Sequence, residues 1–144
     1  MITMLKNVLV VDGSGWFPFW GDVLLEDDKI KLISCGENIL IREEKNYDRI
    51  LNFKDGDYPG HKLPDAYLIP GFEEDMTMEK YQKELNQIIA DLKSGMKIEA
   101  SIRKMTGFGA GQRDYLVNGG KANVAIIDSS VTKILMAFAD GKEL

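Results

Sequence analysis

The chain has 144 residues, of which 44% are apolar and 28% charged, with one cysteine and a formal net charge of −5. That length favours a single domain with a hydrophobic core large enough to need no disulfide or metal. The acidic balance leaves no broad cationic field for nucleic acid or an anionic membrane, and no apolar run reaches the roughly 20 residues of a membrane span.

The N-terminal segment Leu5 to Gly15, LKNVLVVDGSG, reads as a strand stopped by an Asp-Gly turn. It contains no small-residue cleavage signal, so the N-terminus is not read as a signal peptide. Trp16 to Trp20, WFPFW, places four aromatic residues around a proline. This predicts a loop folded over the end of the core instead of a central strand. The alternative is an exposed aromatic patch for a partner, using Trp16, Phe17, Phe19 and Trp20. Gly21 to Gly36 then reads as a hairpin, with strands Val23 to Glu26 and Lys29 to Ser34 turning at Asp27-Asp28.

Cys35 ends that hairpin. The only cysteine excludes an intramolecular disulfide, fits a reducing cytoplasmic setting and reads as a small buried apolar residue. Short strands follow at Arg49 to Phe53 and Ala66 to Ile69, around a polar Gly/Pro loop from Asp55 to Pro64. His61 is the sole histidine and stands in that loop, so it reads as solvated; Asp55-Gly56-Asp57 lacks the other ligands of a calcium loop.

From Thr77 the hydrophobic period becomes helical. Met78, Tyr81, Leu85, Ile88, Ile89 and Leu92 recur on one face, with Thr77 as N-cap and Lys93 and Gly95 as the stop. A second helix runs from about Met96 to Thr106. GFGAG, Gly107 to Gly111, follows a helix, whereas a dinucleotide fingerprint follows a strand and opens one, so it reads as a connector. Two closing strands are predicted at Ala122 to Ile127 and from Lys133 onward, the latter turning at Asp140-Gly141. The fold class expected is mainly β with two helices. Its core would be an antiparallel sheet or small sandwich with the first and last strands brought together and the long helix covering an apolar face.

The order LKNVLVVDGSG, GDVLLEDDKIKLISCG and AYLIPGF resembles the N-terminal part of the amidohydrolase superfamily, of the D-aminoacylase, dihydroorotase and imidazolonepropionase type. IEASIRKMTGFGAG and NGGKANVAIIDSS…KILMAFADGKEL resemble its C-terminal part. The resemblance implies a composite β-sandwich built from the two ends of the chain. In the family a metal-binding (β/α)8 barrel lies between those ends and requires roughly 200 residues or more. Here only Glu73 to Lys97 separate them, and a helix of about residues 77–93 occupies the place of the barrel. The family's His-x-His after Pro-Gly-Phe aligns with Met76 and Met78, its aspartate with Glu74, and Asn123 stands where the closing Ala-Asp signature has aspartate. Thioether sulfur is a poor ligand for hydrolytic zinc.

The resemblance with these losses implies a single non-catalytic domain over residues 1–144, structural or self-associating, with no catalytic residue, metal or cofactor assigned. A homo-oligomer is the expected partner state, with no nucleic acid and no membrane. Met76 and Met78 join Trp16, Phe17, Phe19 and Trp20 as the candidate interaction surface. Two alternatives stand beside it: a metal-dependent hydrolase subunit acting on C–N bonds and completed by another chain, and an interaction module using Trp16 to Trp20.

Overall fold

The computed structural model describes residues 1–35, 47–53, 66–73, 75–105 and 116–144. The side chain of Cys35, residue Glu74, the loop containing Asp55, Asp57 and His61, and the Gly107–Gly111 segment lie outside the described residues.

Among the described residues, eight strands and two helices follow in the order β1 Ile2–Val10, β2 Phe19–Glu26, β3 Lys29–Cys35, β4 Arg49–Asn52, β5 Ala66–Pro70, α1 Met78–Lys93, α2 Ile98–Met105, β6 Val124–Asp128, β7 Ile134–Ala139 and β8 Lys142–Glu143. The mainly-β class with two helices is therefore what the molecule has. The strands form one continuous mixed sheet in the order β3-β2-β1-β5-β6-β7-β8, with β4 also pairing β1.

Two expectations are corrected here. The sheet is not purely antiparallel, because β4 and β5 both run parallel to β1 along one edge, β4 beside Thr3–Lys6 and β5 beside Leu9–Val10. The first and last strands are also not neighbours; β5 and β6 lie between them and join the N-terminal strands to the C-terminal ones.

The sheet folds over until its ends meet. Ile30 N donates to Gly120 O at 2.8 Å, Ala122 N to Asp28 O at 2.9 Å, and Lys29 bridges Lys121. The β2–β3 turn packs on the β7–β8 turn, where Gly141 has φ +78° and a Cβ would collide with the Asp27 carbonyl. Only glycine fits that approach. Period-2 alternation then sends Leu5, Val23, Leu25, Leu68, Val124, Ile126 and Phe138 into the space enclosed by the sheet.

The opposite face of β5, β6 and β7 presents Ile69, Ala125, Ile127 and Ala137, and the helices cover it with Tyr81, Leu85, Ile88, Ile98 and Ile102. β6 is thus buried on both faces, which is why its first four residues, Val124 to Ile127, read as a continuous apolar run. Helix α1 begins where the sequence places it. Thr77 is extended (φ −133°, ψ 165°), and its hydroxyl accepts the Lys80 N–H at 3.2 Å. It ends in a Schellman arrangement, with Gly95 at φ +96°, Gly95 N on Leu92 O and Met96 N on Asp91 O, both at 3.0 Å. Asp91 fastens α2 to α1 by accepting from Ser101 Oγ and Lys104 Nζ, each at 2.8 Å.

Candidate functional site

The junction from β5 to α1 positions the most distinctive side chains. Pro70 is the last residue of β5, paired with Val124. Gly71 N then donates to Asn123 O at 2.9 Å, and Asn123 Nδ2 donates to Glu73 O at 3.3 Å. Asn123 Oδ1 also accepts from Asp140 N at 2.8 Å. An aspartate at 123 would have no donor for the Glu73 carbonyl, so the amide suits this junction specifically.

A Cβ on Gly71 would stand 2.7 Å from Met76 Cγ and 2.8 Å from the Tyr81 hydroxyl. Met76 precedes the cap and Tyr81 lies one turn inside the helix, and the two belong to one buried cluster. That is the geometry of a hydrophobic staple fixing how the chain enters the helix. Tyr81 Oη donates to Phe138 O at 2.6 Å, tying the helix to β7. Burial raises the Tyr81 phenol well above its ordinary range.

Beside the staple, a cleft of about 410 Å³ is lined by Phe72, Glu73, Lys80, Lys83, Glu84, Gln87 and Met105. Glu84 Oε1 accepts the Phe72 N–H at 3.0 Å. Its other oxygen, Oε2, is buried with no hydrogen-bond partner among the described residues. Burial pushes the Glu84 carboxyl up to about 8, against the downward pull of the Phe72 N–H, and Glu73 adds to the rise. Burial therefore favours the protonated form of Glu84. Lys80 is held by Glu73 at 2.9 Å and by the Asp75 carbonyl at 2.6 Å.

The six residues expected at an interaction surface lie in two stretches, the β1–β2 connection with the start of β2 and the start of α1. Trp16 and Phe17 are 67% and 66% exposed, at the tip of the β1–β2 connection. The turn behind them is built by Asp12, whose Oδ1 accepts from Ser14 N and Ser14 Oγ, and by positive φ at Gly13 and Gly15. The expected cover over the core is corrected for these two residues, which project outward. Phe19 and Trp20 are not in a loop: they open β2, paired with Val10 and Leu9. Pro18 stays just outside the ladder, where its missing N–H costs nothing. Phe19 packs against the enclosed core, while Trp20 is 40% exposed.

The two methionines part as well. Met76 is 4% exposed and serves the staple, so it offers no outward contact. Met78, at the first helical position, points off the buried stripe and is 41% exposed.

Glu84 was not singled out from the sequence. Its signal was positional, since it falls inside the stripe set by Tyr81, Leu85 and Ile88, and an acid there must be neutral or paired. A second buried acid, Asp22, has a structural task. It stands opposite the bulge in β1 and accepts the Asn7 N–H at 2.9 Å, and burial raises its carboxyl. Among the described residues no group of three or more His, Cys, Asp or Glu is placed to hold a metal ion, and no helix is long and apolar enough to cross a membrane.

No family model matches the sequence, and no curated protein matches it. Among solved structures the chain is similar to a β-aspartyl dipeptidase from Fervidobacterium islandicum at 20% identity and TM-score 0.32, over 50% of this chain and 15% of that one. It is similar to a D-hydantoinase at 21% identity and TM-score 0.33, over 54% and 13%. It is also similar to an ochratoxinase from A. niger at 14% identity and TM-score 0.35, over 66% and 24%. The chain thus spans less than a quarter of the length of each of these proteins.

Proposed function

We propose that this chain is a non-catalytic, amidohydrolase-related β domain in which the α1–α2 hairpin stands where the family carries its barrel. The observation that supports it most is the covering of the β5–β7 face. Ile69, Ala125, Ile127 and Ala137 are fully buried beneath the helices. The outer side of α1 is polar, with Glu79, Gln82, Lys83, Asn86 and Lys93 exposed. A face so covered leaves those four side chains out of reach of a barrel supplied by another chain, which weighs against the hydrolase-subunit alternative. The ordered N- and C-terminal motifs favour the family, and Met76 and Met78 at the His-x-His positions favour loss of its chemistry. A reducing, cytoplasmic setting belongs to the same reading, from the single cysteine.

Metal analysis of protein purified without chelator tests the non-catalytic reading. We expect well under one equivalent of zinc; a stoichiometric content that survives dialysis would overturn it. A second reading, an interaction or self-association module, is favoured by the exposure of Trp16 and Phe17. Light scattering on gel-filtered protein tests that part. A clean monomer at tens of micromolar, roughly, removes the homo-oligomer.

A further inference from the structure

One seam of the sheet holds a chemically labile dipeptide. The loop before β6 closes onto β3 through residues 118–120. Ile33 N donates to Asn118 Oδ1 at 2.9 Å, Gly119 N to Ile30 O at 2.6 Å and Ile30 N to Gly120 O at 2.8 Å. Asn118 and Gly119 are both exposed to water. Of the asparagines in the chain, Asn118 alone precedes a glycine; the others precede Val, Ile, Tyr, Phe or Gln. A side chain on the following residue hinders attack of its backbone nitrogen on the asparagine carboxamide, and glycine has none. The seam itself holds the reaction back. To react, the Gly119 nitrogen must lose its proton and reach Asn118 Cγ. That proton is engaged by Ile30 O, and the Asn118 carboxamide is engaged by Ile33 N. Both partners lie on β3, so the attack needs the seam to open locally.

We propose that Asn118 is a site of spontaneous deamidation, gated by opening of this seam, and that its isoaspartyl product cannot close the seam again. Hydroxide removes the Gly119 amide proton, and the nitrogen bonds to Asn118 Cγ. The Cγ–Nδ2 bond breaks, and the nitrogen leaves as ammonia with a proton from water, which restores the hydroxide. The resulting succinimide takes up a water molecule. Addition at Cγ restores the main chain with aspartate at position 118. Addition at the α-carbonyl carbon leaves the main chain running through Cγ, as isoaspartate. The two products differ at the seam. Aspartate keeps an oxygen that accepts the Ile33 N–H. Isoaspartate inserts an extra backbone carbon ahead of the Gly119 nitrogen, so Gly119 N and Gly120 O no longer meet Ile30 in hydrogen-bonding geometry. The site is independent of whether the domain is non-catalytic.

The test incubates the full chain in mildly alkaline buffer, folded or in urea. The tryptic peptide ending at Lys121 is followed by mass and by chromatographic retention, which separates aspartate from isoaspartate. In urea, Asn118 should convert ahead of every other asparagine. In the folded chain it should convert at least about tenfold more slowly, in step with the hydrogen-exchange protection of the Gly119 amide. Gly141→Ala pushes the β7–β8 turn off the β2–β3 turn beside the seam, and should accelerate the conversion. The isoaspartyl protein should unfold at a lower denaturant concentration than wild type, and Asn118→Asp at the wild-type concentration. Equal rates in the folded and unfolded chain overturn the proposal, as does another asparagine converting first in urea. So does a slowing that departs from the amide protection by more than about tenfold, or no acceleration in a folded Gly141→Ala. An isoaspartyl protein as stable as Asn118→Asp also overturns it. The rate and protection results decide the matter even if Gly141→Ala fails to fold.

Discussion

Two apolar segments rich in large side chains face opposite fates in this molecule. On α1, Tyr81, Leu85 and Ile88 recur at helical spacing and find the β5–β7 face, where all three are fully buried. At the β1–β2 tip, Trp16 and Phe17 are just as apolar, yet both project into solvent. The helix can turn a whole stripe toward one partner because every third or fourth residue shares a face. The tip is held by the Asp12–Ser14 turn and two left-handed glycines, a geometry that presents its side chains outward. Apolar composition alone does not decide burial; a repeat that matches a waiting surface does.

The strongest way to break this contrast is to cut into the helix side. Leu85→Ala should destabilise the fold by about 2–5 kcal/mol in denaturant melts, since it leaves a cavity between α1 and the sheet. A loss under about 0.5 kcal/mol would mean that the helix contributes little cover.

The pH profile probes the same interface. The folded pKa of Glu84 lies above its unfolded value of 4.5, so folding favours its protonated form. Stability from this group is fully present below about 4.5, declines as the pH rises toward about 8, and is level above that. The decline should total up to about 5 kcal/mol, and Glu84→Gln should flatten it. Asp91 acts in the opposite sense. The hydrogen bonds from Lys104 and then Ser101 hold its carboxyl below its usual range, so its contribution is lost only as the pH falls into the acid range. Melts across pH will separate the two.

The smallest effect is expected at the tip. Trp16→Ser with Phe17→Ser should change stability by no more than about 0.5 kcal/mol. A larger loss would show that the two rings pack more tightly than their exposure indicates. A shift in elution volume without any loss of stability would mark them as a contact between molecules.

Much of this was readable in advance where a local rule and the tertiary environment agree. Thr77 capped the helix, Gly95 stopped it and Asp27-Asp28 turned the hairpin, because each is decided by its own backbone. The sheet order was not legible. The parallel pairing of β1 with β4 and β5 depends on contacts between distant segments, and alternation within a strand does not reveal its neighbour. Strand β1 starts at Ile2, ahead of the predicted Leu5, for the same reason: Ile2 to Leu5 are held by β2 on one side, and Thr3 to Leu5 by β4 on the other. At the candidate site, the junction itself was visible in Pro70-Gly71-Phe72, but Glu84 was not. A charged residue on a helix reads as solvated until the packing around it is known.

The meeting of β5 and β6 makes the junction a splice point. The chain leaves the sheet at Pro70 and returns at Val124, and those two residues are register partners. Gly71 and Asn123, the next residues outward, are one hydrogen bond apart. Whatever lies between them is a detour whose two ends the sheet already holds together. Lengthening such a detour is cheap, about 0.6 kcal/mol for each doubling of its length. Short or long segments can therefore occupy this position without disturbing the strands, provided that each brings its own cover for Ile69, Ala125, Ile127 and Ala137. The two helices are needed as a roof, and the strands would tolerate another roof in their place.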